Sequence, residues 1–560
     1  MFYRVNLVKI FSALLMIFFW TGCRNHTQVK EKEIVKAPEK MDDQVIDNIK
    51  AALAFAGQSG GNISNSIHLS RFPLVNSFYS KNNYKGVWSS METWKPAADS
   101  MFQFIKNSKY YGLYPQDYHY SELDSLRTRI AADSLIRMDA VAWTRADLML
   151  SDAFISILRD MKEGRMVPDS MSIVSKDNYR DSFFFQNLNT ALDSANISSL
   201  FKRAEPDNTK YLSLRDALKD FVDGMDTTTY LYIDYPYTDT LGFKKQLYER
   251  LLQEHIGDSD IEMTDSVLQH EVKIYQEKKK LKVDGKAGEG TVGALNLNDK
   301  EKFKRIAITL DRYKQLPEMP GNYVWVSIPG FYLELMDSDT VIFQSKVIVG
   351  KPTTQTPTLY SEISNMVIFP NWTIPESIIK KEILPALKKD PGYLARKGFS
   401  LIDYKGDEVD PFSVVWSKYK NGIPWKVVQG SGDDNALGIF KFNFYNPYSV
   451  YLHDTNQRYL FANSDRALSH GCVRVQKWED LAFYIAREDS MATKKGHPAY
   501  TTDSLKKWIA NENRKTVMIK KRLPLFIEYF TCVAKDGEII VYKDVYKNDE
   551  ELAEKYFANK

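Results

Sequence analysis

Three hydrophobic periods divide this chain. Between residues 67 and 250 apolar side chains recur every three to four positions, the spacing of amphipathic helices. Val141, Leu148, Ile155 and Leu158 form one such stripe, with Gly164 where a helix stop is expected. The aromatic stretches FYSKNNYKGVW and YYGLYPQDYHY lie in this region and predict ring packing in a helical core. A small unit follows over 251–300. Leu268, Val272 and Tyr275 make a helical stripe, Asp284-Gly285 and Gly288 make turns, and Thr291 is expected to cap a short helix through Ala294 and Leu295. From 301 to 523 the period shortens to two. NYVWVSIPGFYLELM, TVIFQSKVIVG, NALGIFKFNFYN and YSVYLHDT alternate apolar with polar residues and read as antiparallel strands. They are interrupted at about 371–430 by IPESIIKKEILPALKKDPGYLARKGF, a helical insertion with Pro385 as a kink, which predicts a lid. Residues 524–560 read as a C-terminal extension. The fold class expected is therefore multidomain α+β.

The first 66 residues follow other rules. Arg4 and Lys9 precede an apolar run of 11 residues, Ile10–Trp20, which is short for a bilayer span and suits a signal peptide ending near residue 23. Thr21-Gly22-Cys23 at its end resembles a bacterial lipobox, which implies lipidation of Cys23 and a cell-envelope or periplasmic location, with the membrane engaged only through this anchor. Residues 24–66 are polar, then Gly/Ser/Asn-rich, and are expected to form a flexible tether in which DNIKAALAFA makes a helical turn or two.

Charge and cysteine content narrow the chemistry. With 75 basic and 72 acidic residues the chain has a net charge of +3, which argues against nucleic acid as a partner. Three cysteines in 560 residues form no disulfide framework, so each needs its own explanation. Cys532 sits in the apolar run FIEYFTCVAKDG and reads as an inert core thiol. Neither an HExxH zinc motif nor a serine-hydrolase elbow is present in the strand region, so no metal or cofactor is expected.

Cys472 is different. It lies in SHGCVRV, two residues after His470 and 19 after His453. Strand alternation puts Ser449, Tyr451 and His453 on one face, opposite Val450 and Leu452, and puts Cys472 and Arg474 opposite Val473 and Val475. Neighbouring strands would then present His453 and Cys472 side by side, with His453 beside an open cleft. A thiol needs a base or a positive neighbour to become a nucleophile. Gly471 permits a sharp turn, and the amides around Gly471 and Cys472 would face a developing oxyanion.

SHGCVRV, preceded by that histidine, resembles the active-site signature of L,D-transpeptidases of the YkuD type. The helical N-terminal region is similar to the scaffold domain of the large members of that group, and DGKAGEGT to a three-helix module of the peptidoglycan-binding type. The resemblance implies Cys472 as nucleophile, His453 as general base, and Gly471 in the oxyanion hole. His470, Arg474, Tyr451 and Ser469 would support the site or bind substrate. It further implies 3→3 cross-linking of peptidoglycan stem peptides on glycan strands through a thioester, release of D-Ala, and acylation by carbapenem-type inhibitors. Two alternatives remain open at this stage: a carboxypeptidase or cross-link hydrolase using the same site, and a wall-binding scaffold without catalysis.

Overall fold

In the computed structural model, which describes residues 30–167, 179–492 and 500–557, the helix stripes and strand alternation become two units. Cys23 and the Ile10–Trp20 run lie outside the described residues. One unit comprises the chain up to Phe102 with Tyr118–Ser156 and Asp181–Ala195; the other comprises Gln103–Asp117, Ile157–Arg180 and everything from Asn196. Among the described residues no helix is long and apolar enough to cross a membrane.

The first unit is helical. Its aromatic residues are packed as expected, with Phe78, Tyr79 and Trp88 fully buried. A single buried carboxylate organises them: Asp147 accepts the Val87 amide at 3.0 Å, the Trp88 amide at 2.9 Å and the Tyr79 hydroxyl at 2.5 Å. Backbone donors that would otherwise be orphaned in the core are thereby satisfied. The expected tether is corrected here. Met41–Gln58 is an 18-residue helix that buries Val45, Ile49, Leu53 and Ala56. Those residues recur at helical spacing, and burying them offsets the ordering entropy that polar composition alone cannot.

In the second unit, helices Thr240–Gln253, Asp265–Lys278 and Glu289–Asn296 share one small core with Ile233. This three-helix module thus begins before residue 251. Leu268, Val272 and Tyr275 are buried as expected, and Gly285 has φ +69°, the turn conformation that glycine adopts without strain. Thr291 does not cap its helix; Gly288 holds the cap position and Thr291 lies within the helix, buried. Its hydroxyl instead accepts from Gln276, whose amide nitrogen also reaches Asp284 and the Lys286 carbonyl. The Gln276 carbonyl oxygen accepts the Asp284 and Gly285 amides. One buried side chain thus pins the whole Asp-Gly turn.

The remainder is β-rich. Nine strands form one sheet in the spatial order Ala467–Ser469, Thr340–Gly350, Val473–Val475, Leu452–His453, Phe440–Phe444, Leu359–Ile368, Lys515–Glu528, Asn322–Ser327 and Tyr332–Asp337. Thr340–Gly350 also pairs with Tyr332–Asp337, so the sheet closes on itself. One side packs Val347, Ile363, Phe440, Leu452 and Val473 with helix Trp478–Met491; elsewhere Trp325, Phe526 and Phe530 pack with helix Asp299–Lys314.

Two expectations change. The strands are not all antiparallel: Leu452–His453 with Val473–Val475, Ala467–Ser469 with Thr340–Gly350, and Lys515–Glu528 with Asn322–Ser327 are parallel pairs. Alternation along one strand carries no information about its partner's direction. The boundary at 523 falls inside a central strand, so the sheet extends to Glu528. The segment beyond it adds hairpin Cys532–Lys535/Glu538–Val541 and helix Asn548–Phe557.

The insertion is mixed rather than purely helical. Strands Trp372–Thr373, Lys426–Gln429 and Phe399–Ile402 form a separate three-stranded sheet over a core of Ile379, Leu384, Leu401 and Trp416. Pro385 has the expected effect. It sits in the first turn of helix Leu384–Lys389, preceded by a π-helical segment, Ile379–Ile383, that widens the turn where proline cannot donate.

Gln276→Leu should orphan the turn groups that Gln276 serves and loosen the module by about 2–3 kcal/mol. Hydrogen exchange on the full chain is expected to show lost protection at the Asp284, Gly285 and Lys286 amides; unchanged protection would contradict this assignment.

Candidate active site

Cys472 and His453 arrive on adjacent strands, and the register fixes their relation. Leu452 pairs with Val473 and His453 with Arg474 in a parallel ladder, and the Val473 amide donates to the Tyr451 carbonyl at 3.1 Å. Tyr451 therefore stands opposite Cys472, and His453 is its diagonal neighbour on the same face. Diagonal side chains in a sheet lie about 7 Å apart at their Cβ atoms, within reach of an imidazole. The expected pair shares one face of neighbouring strands, but Tyr451, not His453, stands directly beside Cys472. Val450, Leu452, Val473 and Val475 are all buried on the opposite face.

The loop carrying Cys472 is held by hydroxyls. Ser469, itself buried, accepts the Gly471 amide at 3.0 Å and donates to the Cys472 carbonyl at 2.6 Å. Thr356 donates to the Gly471 carbonyl at 2.8 Å and accepts the Gly350 amide at 2.8 Å. Thr354 and the Lys351 amide both donate to the Ser469 carbonyl. Behind them Tyr546 donates to the Gly350 carbonyl at 2.8 Å and accepts the Thr356 amide at 3.1 Å. Gly471 has φ +112°, a conformation strained for any side chain, and a Cβ there would press on the Gln355 carbonyl oxygen at 3.3 Å. Its expected oxyanion role is not what the geometry offers, because its amide is spent on Ser469. The Cys472 amide makes no hydrogen bond among the described residues.

Around the sulfur the charges are uneven. Lys441 lies across from His453 on strand Phe440–Phe444, its Nζ 3.8 Å from the centre of the Tyr451 ring. The Tyr451 and His453 rings meet edge to face at 5.6 Å. Arg474 donates to Gln457 at 2.9 Å and so braces the segment that follows His453. His470 pairs with Glu382 of the insertion at 2.6 Å. Of the two tryptophans bordering the insertion, Trp425 packs against Trp416 and Tyr419 within the insertion core, and Trp372 approaches the Tyr451 hydroxyl.

Burial sets the protonation states. His453 is only 4% exposed, enclosed rather than bordering an open cleft. Burial first, then the Arg474 charge, pushes its pKa down to about 3. Its Nδ1 is sealed off without a hydrogen bond of good geometry among the described residues, although the Leu437 and Asp454 backbones weakly favour the protonated ring. Burial also pushes the half-buried Cys472 thiol up, against smaller opposing effects from Tyr451, Lys441 and Arg474. The resting pair is thus a neutral thiol and a neutral imidazole, and the imidazole can accept the proton as the sulfur attacks. Cys532 is fully buried and its thiol is pushed up to about 12, consistent with an inert core residue. Among the described residues no cluster of His, Cys, Asp or Glu is placed to hold a metal ion.

Sequence reasoning missed Thr356, Tyr546 and Lys441. The threonines of VGKPTTQTPTL were the available signal for the first. Tyr546 is 74 residues from Cys472 in the chain, and nothing in its local pattern marks it.

Two outcomes follow for the thiol. Because both groups rest neutral, alkylation by iodoacetamide should keep accelerating from pH 6 to above pH 9; a plateau reached near pH 5 would reveal a resting ion pair instead. Thr356→Val should cost about 1–3 kcal/mol in urea unfolding by orphaning the Gly350 amide and the Gly471 carbonyl, and should slow alkylation; unchanged stability and reactivity would remove Thr356 from the loop's support.

Comparison with known proteins agrees with this architecture. Residues 73–218 match the model of a scaffold domain family, and residues 321–493 match that of the YkuD L,D-transpeptidase catalytic domain. The chain is 34% identical over 249 residues to a protein of Haemophilus influenzae (strain ATCC 51907 / DSM 11121 / KW20 / Rd) described as "Putative L,D-transpeptidase", covering 44% of this chain and 49% of that one. The chain thus matches about half the length of that relative. A solved structure, "Structure of the Ldtfm-avibactam carbamoyl enzyme", matches 57% of this chain and 96% of its own at 9% identity with a TM-score of 0.16, a level that says nothing about shape or chemistry here. Cys472 and His453, and the hydroxyl clamp that holds the cysteine loop, all fall within or beside the second matched region: the chain carries a region matching the YkuD L,D-transpeptidase catalytic domain and, ahead of it, one matching a scaffold domain.

Proposed function

We propose that this protein is a peptidoglycan L,D-transpeptidase that forms 3→3 cross-links between stem peptides. The observation that carries the reading is the placement of Cys472 and His453 on one face of adjacent parallel strands, with the cysteine loop fixed by Ser469 and Thr356. Cys472 Sγ attacks the carbonyl of the L-centre of the diamino acid in a stem tetrapeptide while His453 takes the thiol proton. The oxyanion is met by the Cys472 amide. His453 then returns the proton to the departing D-Ala amine, leaving a thioester. A side-chain amine of a second stem gives its proton to His453, attacks the thioester and releases Cys472, which recovers that proton. Tyr451 supports the sulfur through its backbone and hydroxyl. Arg474 holds the neighbouring segment, and the insertion, tied to the loop through His470 and Glu382, limits water access.

Water as acceptor would turn the same site into a carboxypeptidase. Glycan strands would dock along the envelope-facing surface, and carbapenem-type β-lactams would acylate the same sulfur. The N-terminal segment would place the protein in the periplasm or cell envelope, anchored through Cys23 if that residue is lipidated.

Incubated with disaccharide-tetrapeptides, the wild type should release D-Ala and yield 3→3 dimers, identified by mass spectrometry. Cys472→Ala should lower the yield by about 1000-fold or more. Monomeric tripeptide as the sole product would assign a hydrolase, and undiminished dimer from the variant would overturn the reading.

A further inference from the structure

Lys441 does no more in the chemistry described so far than ease ionisation of the thiol, yet it occupies a costly position. It is half-buried, lies in register with His453, and is stacked 3.8 Å from the centre of the Tyr451 ring. Among the described residues it has no carboxylate partner. The neighbouring acids are committed elsewhere: Asp454 is bound by Arg458 and the Ile439 amide, and Glu382 by His470. Among the described residues Arg474, the second cation near Cys472, bonds only a neutral amide oxygen, that of Gln457. Two partly desolvated cations therefore face one thiol without compensation. Burial draws the pKa of Lys441 below its ordinary value, the mark of an uncompensated charge. An ammonium held this way is stabilised when an anion enters.

We propose that Lys441 is the carboxylate-recognition residue beside Cys472, selecting an acyl donor that carries a free carboxylate next to its scissile bond. The proposal rests on the transpeptidase reading for the identity of that donor, a peptide with a free terminal carboxylate. The Tyr451 ring holds the ammonium head by its π face. Ring and lysine together would orient the donor before attack, leaving the sulfur chemistry to His453.

The test uses two small thiol reagents on the full chain, iodoacetate and iodoacetamide, which differ in charge and depend on no peptidoglycan chemistry. In the wild type the positive surroundings of Cys472 should favour the anion. Lys441→Met should lower the iodoacetate-to-iodoacetamide rate ratio about tenfold, with iodoacetamide slowed to a smaller extent because Lys441 also eases ionisation of the thiol, and Lys441→Arg should restore the ratio. With stem peptides, Lys441→Met should slow acylation by a carboxylate-bearing donor but not by its terminal amide. If both reagents slow equally, Lys441 acts on the sulfur and not on the substrate, and the proposal falls. It also falls if the ratio is unchanged in a variant with a wild-type melting temperature. Absence of cross-linked product with the expected reagent ratio would instead contradict the transpeptidase reading alone.

Discussion

A parallel ladder two residues long, Leu452 against Val473 and His453 against Arg474, is the constraint on which this site depends. Parallel neighbours can meet only through a crossover, so the chain between them must leave the sheet and return. It does so through the 3-10 turn Arg458–Ala462 and the short strand Ala467–Ser469, which pairs with Thr340–Gly350. The return delivers Ser469 to the loop that Cys472 occupies. A slip of one residue would turn His453 toward the buried face and exchange it for Leu452 or Asp454. The apolar set Val450, Leu452, Val473 and Val475 guards against that slip, since each is buried on the sheet's inner face.

Around that ladder the protein combines rigid support with unfavourable electrostatics. Ser469, Thr356 and Tyr546 fix the cysteine loop through buried hydrogen bonds, each worth about 1 kcal/mol net. Within this frame burial keeps both the thiol and the imidazole neutral, so the nucleophile forms only as the proton moves. Lys441 and Arg474 lower the thiol's cost of ionisation but do not overcome burial. A site of this kind is quiet in solvent and responsive to a substrate that brings charge of its own.

Much of this was legible in the chain. His453 and Cys472 followed from strand alternation and spacing, and the helix ending at Gly164, the stripe Leu268, Val272, Tyr275 and the kink at Pro385 followed from local pattern. The losses have physical reasons. Met41–Gln58 was read as tether because polar flanks hid a buried face that only tertiary packing rewards. Strand direction was lost because alternation is the same in parallel and antiparallel ladders. Of the two amides expected at the oxyanion, that of Gly471 is withdrawn by its bond to Ser469, two residues earlier, a three-dimensional fact. Tyr546 reaches the site from a loop remote in sequence, where no motif marks it; Lys441 lies on a strand that alternation marks, but its place beside the site depends on register with His453.

The most direct measurement is intact-mass spectrometry of the protein mixed with a disaccharide-tetrapeptide, followed by peptide mapping. The wild type is expected to gain the mass of the donor less D-Ala, carried on the peptide containing Cys472, and His453→Ala to gain almost none over the same time. An adduct mapping to another residue, or equal acylation without the imidazole, would contradict the assignment of these two side chains as nucleophile and base.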